Sequence, residues 1–260
     1  AGYDLLKLHP GLSREVYDAI VETAREVGIT FGGHVSAGVG VEHAIATRQS
    51  TIDHLDGYLE AAVSDAVRPR VQDGSAALGE VVRSIDAARL RRLAESTREA
   101  GVWNVPTAFL WESFFSPEPP EAMAERPEMK YVPRSMVQGW INQKRNQMQN
   151  QANSGVSAED SRLYLQARRN ILKALSDADA PILYLGDAAH GMVPTLGQGA
   201  TQAIEDGCVL ASLVAQRLAA GSRDVREWLD AFDAARNERI RFVMDFSLEA
   251  SDTLFAGSDP

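Results

Sequence analysis

The sequence predicts an α/β fold: a parallel sheet of about five strands covered by helices, then a helical tail. Three observations carry this. Short apolar runs alternate with helical patterns through the first two-thirds of the chain. Glycines and a capping serine punctuate those helices. Beyond residue 199 the period is helical almost to the end.

Residues 3–9, YDLLKLH, form the first apolar run, interrupted by Lys7 and ended by Pro10 and Gly11. Ser13 offers an N-cap, Val16, Ile20, Val21 and Ala24 an apolar stripe, and Gly28 a stop. Residues 29–35, ITFGGHV, read as the second strand, ending near His34, and 41–47 as a short helix. Residues 51–55, TIDHL, read as the third strand and carry His54. Ile85 to Ala100 is a helix capped by Gly101, and 102–111, VWNVPTAFLW, a strand and its exit.

Pro117, Pro119, Pro120, Pro127 and Pro133 mark 116–135 as a loop or lid insertion rather than a regular element. Residues 138–155, rich in Gln and Asn with few apolar anchors, read as an exposed polar helix or a linker. Ser161 to Leu175 is a further helix leading to Ala180 and Pro181. Ile182 to Leu185 is the last apolar run and ends in Gly186 and Asp187. After a turn holding Pro194, Gly197 and Gly199, one helix runs to about Ala220 and Gly221 stops it. Val225, Trp228, Leu229 and Phe232 begin an amphipathic helix, and the end, SLEASDTLFAGSDP, is expected to fray. No internal repeat is visible.

The 260 residues are 45% apolar and 24% charged, enough for a full core. A net charge of −10 argues against nucleic acid and anionic membrane as partners. Cys208 is the only cysteine, so no disulfide forms within the chain, and core packing is its expected role. No apolar run approaches the roughly 18 residues of a membrane span. No signal peptide is visible, so a cytoplasmic setting is expected. The opening AGYDLLKLH lies already inside a strand and lacks an initiator methionine, which suggests a fragment or a joined product.

Lys7, His34 and His54 each fall near the C-terminal end of a predicted parallel strand, the edge where α/β folds build their sites. An ionisable group among apolar neighbours needs a reason, because an unpaired buried charge is costly. Imidazoles are common zinc ligands. A lysine amine that has taken up carbon dioxide becomes a carboxylate and a possible bridging ligand. His9 and His43 read as structural, Tyr58 as a rim tyrosine, and Trp103, Phe109 and Trp111 as packing residues. Asp187 ends its own apolar run, ahead of a helix start whose free N–H groups attract anions and electron-rich carbonyls.

Four stretches, DLLKLHPGLSREVYDAIVETAREVG, GGHVSAGVGVEHAI, TIDHLDGYLEA and AGVWNVPTAFLWE, resemble the amidohydrolase superfamily, in its imidazolonepropionase-like and prolidase-like branch of metal-dependent hydrolases. The resemblance covers about residues 1–180 and corresponds to strands four through eight of that family's barrel. It implies a partial (β/α) TIM-like barrel, with Lys7 as a carboxylated lysine and His34 and His54 as metal ligands. Asp187 takes the place of the strand-eight aspartate, a ligand and the catalytic proton shuttle, although YLGDAAH stands where LLGTDAP is usual. The implied activity is hydrolysis of amide or peptide-like C–N bonds with a divalent ion, zinc foremost. The family's strand-one HxH pair is absent, which predicts weak activity or none. Open sheet edges predict a homo-oligomer or poor solubility.

Residues 181–260 resemble another family. GDAAHGMVPTLGQGATQAIEDG is similar to the second flavin-binding motif of FAD-dependent aromatic-ring monooxygenases of the salicylate- and hydroxybenzoate-hydroxylase type. That resemblance implies FAD as cofactor, NAD(P)H and oxygen as cosubstrates, Asp187 on the ribityl chain, and Pro194, Gly197 and Gly199 along the isoalloxazine ring. The GxGxxG that a flavin's pyrophosphate needs is missing: Gly38-Val39-Gly40 comes nearest and lacks the third glycine. The sequence thus reads as a chimera, hydrolase-like over 1–180 and oxygenase-like over 181–260. Its substrate is a small molecule on either reading, and an inactive fusion is the third. Without a cofactor, Glu205 and Asp206 read as solvated helix charges.

Overall fold

The computed structural model describes residues 2–3, 5–126, 129–130, 132–182, 184, 187–192 and 198–255, without the side chains of Phe109, Asp187, Ala188, Leu254 and Phe255. The chain divides into two units. The first comprises Ala1–Glu118 with Gln143–Leu183, the second Pro119–Asn142 with Tyr184–Pro260.

The first unit holds a four-stranded parallel sheet in the order β1-β2-β3-β4. Its strands are β1 (Leu5–Leu8), β2 (Thr30–Gly33), β3 (Thr51–Asp53) and β4 (Trp103–Val105). Ile182 adds a parallel bridge to Asn104, where the sequence predicts the fifth strand. Helix α1 (Arg14–Val27) forms as its punctuation predicts. Ser13 Oγ accepts from Val16 N at 3.3 Å, and Gly28 closes the helix at φ 70°. Short helices α2 (Val41–Ala46), α3 (Tyr58–Ala61), α4 (Arg68–Gln72) and α5 (Leu78–Arg83) lead to α6 (Ala87–Ala100), capped by Gly101 at φ 69°. Helix α7 (Ala108–Phe115) occupies what reads in the sequence as a strand exit.

Helix α9 (Ala158–Asp177) packs on α5, α6 and α7 and supplies Ile171 and Leu175 to a core with Leu8, Tyr17, Phe31 and Ile52. Close strand approach needs Gly33, at φ 124°, because a Cβ there would meet Leu8 O at 2.6 Å. Tyr58 lies at 0% exposure in this core rather than at a rim. Its hydroxyl bonds Thr97 Oγ1 at 2.8 Å, and burial pushes its pKa up to about 12.

The second unit holds a 3₁₀ turn (Pro120–Glu125), α10 (Asp187–His190), α11 (Gln198–Ala219) and α12 (Val225–Phe255). Between the two stretches of the first unit runs α8 (Arg134–Asn153), the expected polar helix, divided between the units at residue 142. The 3₁₀ turn is a short regular element inside the expected proline loop. Helices α11 and α12 pack together. Two expectations fail here. Helix α12 continues through SLEASDTLF instead of fraying, with Ser247 and Ser251 buried and Ser251 Oγ donating to Ser247 O at 2.8 Å, while 256–260 lie outside the described residues. Cys208 is exposed, because α11 turns Gln202 and Asp206 inward and residue 208 falls on the other side of that helix. Among the described residues no helix is long and apolar enough to cross a membrane.

Candidate metal centre and flavin-motif segment

In the first unit the sheet's carboxyl edge gathers the chemistry. Lys7 is next to last in β1, His34 follows β2, Asp53 ends β3 and His54 follows it. Each imidazole is pinned through its backbone to the neighbouring strand: His34 N donates to Leu8 O at 3.2 Å and His54 N to Val105 O at 2.7 Å. His54 and Leu55 take positive φ of 56° and 59°, so the chain turns as it leaves β3. Arg168 on α9 holds that turn, donating to His54 O at 2.5 Å and Pro106 O at 3.3 Å. Its guanidinium stacks 4.7 Å above the Trp111 ring.

These constraints bring His34, Asp53 and His54 to one place. One ligand atom from each lies within 4.8 Å of the others. The His34 and His54 ring centroids are 4.7 Å apart. Lys7 Nζ pairs with Asp53 Oδ2 beside this group. His34 Nδ1 bonds Asp56 Oδ2 at 2.8 Å, and His54 Nδ1 bonds Thr107 Oγ1. Each ring is therefore oriented through Nδ1 and has Nε2 to offer, as metal-binding histidines are usually held. Burial lowers the pKa of His54, against the opposing pull of the Asp56 carboxylate, and so favours the neutral form that coordinates. Two nitrogens and a carboxylate suit a divalent ion such as zinc.

Sequence reading missed Asp53, Asp56, Thr107 and Arg168. The string TIDHLD held a signal for two of them, since it sets carboxylates on both sides of His54. His43 meets the expectation of a structural role, bonding Asp18 Oδ1 and Arg14 Nη2, each at 2.6 Å. His9 lies with its ring 6.0 Å from that of His34.

In the second unit, Asp187 opens α10 and Gly199 is the second residue of α11. The Asp187 side chain, Pro194 and Gly197 lie outside the described residues. Buried polar groups tie α10, α11 and α12 together. His190 Nε2 meets Asp206 Oδ2 at 2.6 Å, and Arg236 Nε donates to Asp206 Oδ1 at 2.7 Å. Arg236 also reaches Glu205 Oε2 at 2.8 Å and Gln202 Oε1 at 2.9 Å. Asp206 is 1% exposed and both acids are paired, so neither is a free solvated helix charge. Two buried nitrogens, His190 Nδ1 and Gln202 Nε2, have no hydrogen-bond partner. For FAD the fit is partial. The described residues supply a helix N-terminus and these two unsatisfied nitrogens, but no glycine-rich pyrophosphate turn.

Residues 164–247 match the family model described as FAD binding domain. The FAD-dependent monooxygenase opaC of Aspergillus ustus is 35% identical over 88 residues, 34% of this chain and 18% of the relative. The FAD-dependent monooxygenase penE of Penicillium thymicola is 38% identical over 66 residues, 23% of this chain and 14% of the relative. Notoamide E oxidase notB' of Aspergillus versicolor is 34% identical over 82 residues, 32% and 17%. The chain thus spans under a fifth of the length of each, 18%, 14% and 17%. Among solved structures, bottromycin amidohydrolase aligns with a TM-score of 0.47 and 21% identity over 70% of this chain and 37% of its own.

Proposed function

We propose that the C-terminal segment is the ring-side part of an FAD-binding domain of the monooxygenase type, acting on a small molecule. The family match over residues 164–247 carries this reading. FAD, when bound, would supply oxygen-activating redox chemistry, with NAD(P)H as reductant. Asp187, Pro194, Gly197 and Gly199 would bind and orient it. The brace of His190, Asp206 and Arg236 would fix the helices that frame them. Incubation with FAD followed by gel filtration tests the reading. Flavin that co-elutes with the protein and is lost in Asp187→Ala supports it, and colourless protein overturns it.

A second reading has its own observation, the convergence of His34, Asp53 and His54. It makes the first unit a remnant of a metal-dependent hydrolase of amide-like C–N bonds. His34 and His54 would hold a divalent ion, with Asp53 or a carboxylated Lys7 as the oxygen ligand. Such an ion lowers the pKa of a bound water to about 7. Asp56 and Thr107 orient the two rings, and Arg168 fixes the backbone that carries His54. Equilibrium dialysis against zinc and cobalt, with bicarbonate present, tests it. One ion per chain is expected, and trace metal alone discards the reading. Self-association through β1, where Leu5 and Leu6 are 50% and 38% exposed, belongs to the same proposal. Sedimentation velocity checks it, and a monodisperse monomer contradicts it.

A further inference from the structure

A groove of about 370 Å³ opens on the helical side of the first unit, among α2, α3, α4 and α6. It shares no residue with the carboxyl-edge cluster. Arg68, Arg89, Arg92 and Ser96 line it, with Glu42 as the one lining carboxylate. On a chain of net charge −10, three guanidiniums against one acid invert the local charge. Arg89, Arg92 and Ser96 stand at helical spacing on α6, so the sequence sets them on one face.

The cations are not used up by their neighbours. Arg68 Nη2 donates to Ala61 O at 2.8 Å, while its contact with Glu42 is long, at 3.5 Å. Arg68 Nε is buried without any hydrogen-bond partner. Arg89 turns one nitrogen to Asp65, whose side chain is 87% exposed and competes with water for it. A guanidinium carries five donors, so this group of three has more N–H than its protein acceptors occupy.

We propose that this groove binds the phosphate group of a small phosphomonoester. Planar guanidinium forks match the oxygens of a phosphate dianion, and the Ser96 hydroxyl adds a donor. A carboxylate has too few oxygens to engage three forks. Glu42 repels the dianion from its own side and can accept from a hydroxyl on the ester's organic part. Leu93 and Ile45 give that part an apolar wall. The volume suits a molecule of sugar-phosphate size.

Calorimetric titration of the full chain with glucose 6-phosphate, glucose and inorganic phosphate tests the proposal. Saturable binding of one glucose 6-phosphate per chain is expected, with weaker binding of inorganic phosphate and none of glucose. Arg92→Gln should weaken it about tenfold or more, and Arg92→Lys should restore part of the loss. Arg92 is exposed, so thermal unfolding of both variants should match the parent. Arg68→Gln serves as a second probe, with circular dichroism to confirm that it folds. Absence of saturable heat, equal binding of glucose, or unchanged affinity in Arg92→Gln and a folded Arg68→Gln overturns it.

Discussion

The two units use the same kinds of side chain in opposite ways. In the first, His34, His54 and Asp53 converge at a strand edge, and Lys7, paired with Asp53, has its side chain still 48% exposed. In the second, His190, Asp206 and Arg236 meet at side-chain exposures of 6%, 1% and 4%. The first group points its ligand atoms at a shared point beside solvent. The second group pairs its members with one another and with Gln202 and Glu205 on α11, and leaves only His190 Nδ1 without a partner. A histidine beside an aspartate is thus a ligand candidate or a brace according to where the spare valences point. Burial and the third partner separate the two cases, and residue type does not.

The sharpest way to break that contrast is to remove one member of the brace. Arg236→Met leaves Asp206 without its cation in a desolvated site, while Glu205 keeps Arg239. Breaking a buried pair from one side costs about 3–5 kcal/mol. Urea unfolding should show that loss in the signal of α11 and α12. A loss under about 1 kcal/mol would mean that the group is hydrated and is no brace. Replacing Arg236 and Asp206 together with apolar residues should recover much of the stability, since neither charge is then left alone.

The opposite outcome is expected at the carboxyl edge. His54→Asn should leave folding almost unchanged, because the His54 side chain is only partly buried. It should weaken cobalt or zinc binding by about 100-fold, the effect of losing one of few protein ligands. Asp56→Asn, which alters the partner of His34 Nδ1 without removing a ligand, should weaken it by about tenfold. Metal affinity should also fall as pH drops through the titration of His54. Burial holds that pKa below its ordinary value, so binding should persist to lower pH than an exposed imidazole would allow. A His54→Asn variant that unfolds while a folded fraction keeps its metal would reverse the assignment of site and brace.

How much of this was legible in the sequence depends on whether local rules decided the geometry. Ser13, Gly28 and Gly101 marked helix ends that the structure repeats, because capping is a contact between near neighbours. Lys7, His34 and His54 were visible as charged or polar residues ending apolar runs. Asp53 was not, because strand alternation puts residues 53 and 54 on opposite faces. The positive φ of His54 breaks that alternation and lets both side chains reach one point. Arg168 was hidden because it acts from 114 positions away, through the His54 carbonyl. The brace was missed for a similar reason: Asp206 and Arg236 sit 30 residues apart on two helices, and nothing short-range pairs them. Tyr58 looked like a rim residue because its position relative to His54 was read along the chain. The turn at His54 and Leu55 carries it into the core, where Thr97 receives it.

That last pair offers a finer test inside the first unit. Tyr58→Phe keeps the ring and deletes the buried hydroxyl, while Thr97 Oγ1 still donates to Leu93 O at 2.7 Å. Thr97 keeps its acceptor, so the cost should be about 1 kcal/mol, read from the shift in denaturation midpoint. A loss of 3 kcal/mol or more, beyond about what one hydrogen bond contributes, would make the pair a brace like that of Arg236.

The smallest expected effect lies at the solvent-facing end of the brace. Bonds from Arg239 and Arg236 lower the pKa of Glu205 to about 2, against an ordinary value of 4.5. A carboxylate depressed in the folded state binds its proton later there than in the unfolded chain. Its contribution is therefore complete above about pH 4.5 and is lost as pH falls toward 2. Arg239 is 55% exposed, so salt and water screen part of the interaction. Glu205→Gln should lower stability slightly at pH 7 and flatten the acid limb between pH 4.5 and 2, the window the two pKa values define. Denaturation midpoints of parent and variant, compared at pH 7 and pH 3 and at two salt concentrations, read this directly. Curves that stay parallel down to pH 3 would show that Glu205 does not sense its arginines, and the brace would then end at Asp206.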